Sequence, residues 1–260
     1  MHLFIFEGQS AEVKIVQTLE NNFFGKNIGI KCVFDAEIYQ LYKKMKDEDF
    51  PLDLINLLKE RSEKNKQELK DYNRDSFESV YLFFDYDAHS SMADDEKLKK
   101  MLSFFDNETE NGMLYISYPM VEAIRHFDTE ENFKDYIVKC KGRNCELLEK
   151  CEHKDSCLQE PHYKTFVGNN FPKMSNMNKF TFDLWVQLIR THLKKMNYIV
   201  HNDYSLPSER SEQLTIFENQ LTKYIKQNCP QVAVLSAFPL FVLDYYGCQK
   251  LKNILEEKQI

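Results

Sequence analysis

The chain has 260 residues, 43% of them hydrophobic and 29% charged, enough apolar side chains for one large core or two smaller ones. Its formal net charge of −7 argues against non-specific coating of nucleic acid but leaves room for a local basic groove. Gly and Pro number only 7 each, which excludes long disordered linkers.

The opening "MHLFIFEGQS" has no basic region, and its apolar stretch is too short for a signal peptide. No apolar run is long enough to span a bilayer, so no membrane partner and a cytoplasmic location are expected. "HLFIFEG" reads as a strand ending in Glu7 and Gly8, followed by a helix over 10–23 with Ser10 at its N-cap. "IGIKCVF" is a second strand. "DAEIYQLYKKM" and "LDLINLLKERSEKNKQELKDY" carry helical pattern up to about residue 72.

In "VYLFFDYDAHS" the unbroken apolar run Val80 to Phe84 suits a strand covered on both faces of an α/β sheet. Asp85 and Asp87 follow at its carboxyl end, where open α/β sheets bind ligands. An extended chain would put them on one side, roughly 6.5 Å apart, close enough to share a cation. An Asp-rich turn accounts for the same residues more simply. His89, in the following polar loop, either contacts a phosphate or is merely solvated.

Further on, "DDEKLKKMLSFF" reads as a helix, "GMLYISYP" as a strand and "MVEAIRHF" as another helix. Strands alternating with helices predict a largely parallel sheet flanked by helices. The basic clusters "YKKMK", "KERSEKNK", "KLKK" and "RTHLKK" read as solvated helix faces.

A polar stretch then brings Cys140, Cys145, Cys151 and Cys157 together as C-x4-C-x5-C-x5-C, with His153 and His162 nearby. Disulfides are not expected in a reducing cytoplasm. A structural Zn2+ is favoured over an iron–sulfur cluster and over unliganded thiols, although only the first spacing matches common zinc pairs. Lys139, Lys141, Arg143, Lys150 and Lys154 could bring this insertion to a phosphate backbone, while Glu146, Glu149, Glu152 and Asp155 dilute that charge and leave protein contact open. Cys32, Cys229 and Cys248 read as core. Long helices follow, with Trp185 on an apolar face as core or subunit interface and Pro239 marking a break or a helix start. The resulting division is an α/β domain over 1–127, a Cys-rich insertion over 128–172 and a helical region over 173–260.

A glutamate and glycine after the first strand, "FIFEG", and an Asp-x-Asp after a later one, "FFDYD", resemble the Toprim domain family of primases, topoisomerases and overcoming-lysogenization-defect nucleases. The resemblance covers about the first half of the chain. It implies that Glu7 acts in acid/base chemistry or joins a metal shell, and that Asp85 and Asp87 hold Mg2+ or Mn2+. "YPMVEAIRHF" is similar to a segment of RloB-like relatives from phage-defence loci, which would add Glu122 to the acidic set. The long gap between Glu7 and Asp85 requires an added helix or hairpin. No nucleophile stands out among the 14 tyrosines, so strand passage is unsupported.

The expected function is therefore a metal-dependent nuclease acting on nucleic acid, DNA ahead of RNA, as an antiphage effector working as a homodimer or with a partner protein. Two alternatives stand beside it: a nucleotide-sugar glycosyltransferase using the Asp-x-Asp metal site, which leaves Glu7 without a role, and a non-catalytic zinc-stabilised binding module.

Overall fold

The computed structural model describes residues 1–47, 53–139, 145–152, 154–159 and 162–256, apart from the side chains of 156 and 158. The fold is α/β with a mostly parallel central sheet flanked by helices. Two compact units divide the chain, Met1–Asp85 with Asp94–Tyr115 and Tyr86–Ala93 with Ile116–Ile260. The Cys-rich stretch and the C-terminal helices thus belong to one unit.

In the first unit the chain runs through β1 (His2–Phe6), α1 (Ala11–Leu19), β2 (Gly29–Val33), α2 (Ile38–Asp47), α3 (Leu54–Arg61), α4 (Glu63–Glu68), β3 (Ser79–Asp85), α5 (Asp95–Phe104), β4 (Asp106–Asn107) and β5 (Gly112–Ser117), leaving for the second unit within β5. The sheet order is β2-β1-β3-β5-β4, and β1 pairs in parallel with both β2 and β3. Every residue of β3 is buried, as the unbroken apolar run requires of a central strand. Alternate positions put Phe4, Phe6, Tyr81, Phe83 and Tyr115 into ring contact, with Phe83 5.6 Å from Phe6 and 5.3 Å from Tyr115. This aromatic layer fixes the register that sets the carboxyl ends of β1 and β3 side by side.

Several local expectations are corrected. Ser10 occupies the N-cap of α1 but makes no capping side-chain bond, and the helix ends in a π turn over Glu20–Phe24. The helical pattern after residue 53 breaks at Ser62, whose hydroxyl accepts from the Asn65 N–H and starts a new helix. β4, antiparallel to β5, is too short to be seen as a strand in sequence.

Asn65 acts as a tie for the edge strand β2. Only 2% exposed, it donates to the carbonyls of Val33 (2.7 Å) and Leu58 (3.1 Å) and accepts from the Val33 N–H (3.3 Å). Asn65→Ala leaves those buried groups without their side-chain partner and is expected to cost about 2 kcal/mol, read from the urea midpoint. A midpoint unchanged from the wild type would show that the tie contributes nothing.

The second unit contains α6 (Glu130–Phe133), β6 (Ile137–Lys139), α7 (Lys154–Gln159), α8 (Tyr163–Asn170), α9 (Phe182–His201), α10 (Gln213–Gln220), β7 (Gln231–Ala233), α11 (Ala237–Tyr246) and α12 (Cys248–Glu256). β6 and β7 pair antiparallel, Ile137 opposite Ala233 and Lys139 opposite Gln231. Gln220 locks α10 to this ladder by bonding both the N–H and the carbonyl of Ala233. Trp185 is fully buried on α9, as expected of core, and Pro239 lies in the first turn of α11, a helix start.

Two further readings change here. The expected helix around 121–127 is a 3-10 turn over Val121–Arg125, and the Arg125 side chain donates from Nε to the Met174 carbonyl. "RTHLKK" is not a solvated face. Arg190 and Lys194 pair with Glu130 at 2.9 and 2.5 Å, while Thr191, His192 and Lys195 are buried. Among the described residues, no helix is long and apolar enough to cross a membrane.

Candidate active site

Parallel pairing places Phe6 beside Phe83, so Glu7 and Asp85 leave neighbouring strands at the same carboxyl edge. The Glu7 backbone is pinned from both sides: its N–H donates to Phe83 O (3.1 Å) and its carbonyl accepts from Asp35 N–H (3.0 Å). Its half-buried side chain then reaches across, and Oε2 accepts the Asp85 N–H at 3.0 Å. Asp85 itself is only 7% exposed. The Glu7 carboxylate is therefore tied to the backbone of Asp85, and both residues sit at the carboxyl edge of the sheet.

A third acid of the first unit bonds the residue after Glu7. Glu12, in the first turn of α1 and 7% exposed, folds back so that Oε1 accepts the Gly8 N–H at 3.1 Å. Any Cβ at position 8 would lie 3.2 Å from that oxygen, tighter than ordinary contact, so the glycine after Glu7 makes room for the Glu12 carboxylate. Sequence reasoning missed Glu12. The signal was present, a glutamate four residues after a glycine in the first helical turn, where a carboxylate meets unsatisfied N–H groups.

Asp87 and Glu122 lie in the second unit. The extended path assumed for residues 85–87 is corrected: β3 stops at Asp85, and Asp87 takes a left-handed conformation with φ of 49°, which aspartate tolerates better than most residues. Its N–H donates to the Pro119 carbonyl at 3.3 Å, and its buried side chain meets His89, Nε2 lying 3.3 Å from Oδ1. The His89 ring also packs edge-on to that of His162, centroids 5.1 Å apart. His89 is thus oriented by an acid and a second histidine, more than a merely solvated residue would be.

Glu122 is 4% exposed in the 3-10 turn, with Oε1 3.7 Å from the Lys164 ammonium group. Of the predicted zinc ligands, Cys140 lies outside the described residues, as does His153, while Cys145, Cys151 and Cys157 are half-exposed thiols.

Compared with known proteins, the chain matches no family model, no curated protein and no solved structure. Chemistry at the site therefore has to be argued from the residues. Among those described, no three His, Cys, Asp or Glu side chains form a group that could by itself hold a metal ion. Mg2+ is commonly held by one or two carboxylates, with water and substrate phosphate completing its shell, and Glu7 and Asp85 are oxygen donors of that kind. The donor chemistry fits.

Proposed function

We propose that the protein is a divalent-metal-dependent nuclease, hydrolysing phosphodiester bonds in nucleic acid at the Glu7–Asp85 edge. The observation that carries this reading is the bond from the Asp85 N–H to Glu7 Oε2, which ties the Glu7 carboxylate to the backbone of Asp85 at the carboxyl edge of a parallel sheet. A glycosyltransferase reading gives Glu7 no task, and a silent binding module gives the pair none. A bound Mg2+ or Mn2+ supplies Lewis acidity to the phosphoryl group.

The protein's own residues do the rest. Asp85, buried at the end of a rigid strand, provides a charge that does not have to reorganise. Glu7 is half-buried and anchored through one oxygen, a position from which a carboxylate can take the proton of an attacking water. Asp87 is proposed as an acid of the second unit, where it faces His89. Glu122 is proposed as an acid of the second unit rather than of this edge, since Lys164 already faces it. DNA ranks ahead of RNA as substrate. The antiphage role, and action as a homodimer or with a partner protein, rest on the Toprim resemblance.

The test is incubation of the whole protein with linear, circular and single-stranded DNA and with RNA, in Mg2+ or Mn2+, beside an Asp85→Ala, Asp87→Ala double variant. Wild-type cleavage that vanishes in the variant and in chelator is expected. Cleavage that persists in either removes the metal-centre reading.

A further inference from the structure

The basic run "KERSEKNK" reads from sequence as a solvated helix face, and at Arg61 the structure corrects this. Arg61, the last residue of α3, is half-buried, and its guanidinium is seated on the backbone that leaves β2. Nε donates to the Phe34 carbonyl at 2.7 Å and Nη2 to the Asp35 carbonyl at 3.2 Å. The guanidinium carbon also stands 4.5 Å from the centre of the Phe34 ring, a cation–π contact.

That seat is rigid. Phe34 is fully buried and meets the Phe84 ring of β3 edge-on, centroids 5.9 Å apart. Its N–H donates to the Phe6 carbonyl at 2.8 Å, and the next N–H, of Asp35, donates to the Glu7 carbonyl at 3.0 Å. Asp35 takes a left-handed backbone with φ of 58°, a conformation that costs energy in a residue other than glycine and is kept where the surrounding structure enforces it. Arg61 is thus tied, through Asp35, to the same carboxyl edge as Glu7.

The strand order β2-β1-β3 sets the cation and the two acids in sequence along that edge, Arg61 beside the end of β2, Glu7 at the end of β1 and Asp85 at the end of β3. Neighbouring strands lie about 4.8 Å apart, so a cation one strand away from Glu7 addresses a phosphate beside the reacting one. The guanidinium has donors left for it. Nη1, with two N–H groups, has no acceptor among the described residues, and no described carboxylate pairs with Arg61. Carboxylates repel a phosphate backbone, whereas a planar guanidinium matches the geometry of phosphate oxygens.

We propose that Arg61 binds a backbone phosphate of the nucleic-acid substrate, next to the phosphodiester at the Glu7–Asp85 edge. The proposal rests on the nuclease reading and adds to it a contact that positions the strand and carries no base preference. Arg61 acts by binding and takes no part in bond breaking.

The experiment is fluorescence anisotropy of labelled single-stranded DNA and RNA of one sequence, bound by the full-length protein over a range of salt with Ca2+ in place of Mg2+. Cleavage in Mg2+ and urea midpoints are measured beside it. Arg61→Gln removes the charge and keeps an amide donor for the Phe34 carbonyl. It is expected to bind both strands about tenfold more weakly and to lower the slope of log affinity against log salt by about 0.7, the loss of one single-strand phosphate contact. Arg61→Lys, which keeps the charge, is expected to keep the slope. Wild-type slope and affinity in Arg61→Gln would overturn the proposal, and a lowered urea midpoint beside that unchanged slope would leave Arg61 as a tie for the backbone at 34 and 35. Equal loss of slope in Arg61→Lys would also overturn it, by tracing the effect to shape rather than charge. Wild-type cleavage in Mg2+ separates the two failures: where it is present, an unchanged slope removes Arg61 alone, and where the wild type neither cleaves nor binds either strand, the nuclease reading falls together with the proposal.

Discussion

Replacing Glu7 by Gln lowers metal-dependent cleavage by about a thousandfold, a loss within the range of a removed acid/base group. Gln keeps a side-chain carbonyl, so the bond from the Asp85 N–H survives and the edge keeps its shape. What disappears is the negative charge and the capacity to accept a proton. Folding stability therefore changes far less than turnover, because the amide keeps the size of the carboxylate and an acceptor oxygen for the Asp85 N–H. The pairing of lost turnover with an unchanged urea midpoint separates a chemical role from a structural one. Equal turnover in wild type and Glu7→Gln would remove Glu7 from the mechanism.

Acidification from pH 7 to pH 5 weakens the protein by about 4 kcal/mol, through two histidines of the second unit. His192, fully buried on α9, accepts the Ser236 N–H at Nδ1 (3.1 Å), a bond available only to the neutral ring. Burial, helped by the charge of Lys195, pushes its pKa down to about 3. His126, 4% exposed, stacks on Tyr136, meets the ring of Phe171 at a tilt of 53° and lies 3.0 Å from the Tyr163 hydroxyl; burial lowers its pKa to about 4.

Both folded pKa values lie below the unfolded 6.5, so the unfolded chain binds protons that the folded chain refuses. Stability falls as pH drops from about 6.5 towards 4, each histidine contributing about 2 kcal/mol by pH 5. Lys195 acts at the other end of the scale. Its ammonium group is surrounded by the carbonyls of Phe133, Lys134 and Tyr136, and burial lowers its pKa to about 8, so stability rises between pH 8 and 10.5. Urea midpoints at pH 7 and pH 5 check the acid limb, and His126→Phe is expected to remove about half of the loss. A stability unchanged between those two pH values would contradict this account.

The parts of the molecule legible in sequence are those where one local signal decides. Val80 to Phe84 could be read as a central strand because both faces had to be apolar, and Glu7 as the end of β1 because Gly8 closes it. Turns and pairings set by distant residues were not legible. Nothing near Asp87 announces its left-handed backbone, which goes with a bond to Pro119 in another segment. "RTHLKK" looks solvated until Glu130 and the carbonyls after α6 enclose it. Cys229 looks like core until the turn before β7 leaves it half-exposed, and Glu12 looks like a surface helix residue until Gly8 leaves it room.

Titration of the protein with Mn2+, followed by electron paramagnetic resonance, reads out whether the Glu7–Asp85 edge holds a divalent ion. Wild-type protein is expected to deplete the free-ion signal, and Glu7→Gln and Asp85→Asn each to weaken this binding at least about tenfold. Equal depletion by wild type and both variants, or none by the wild type, would contradict it.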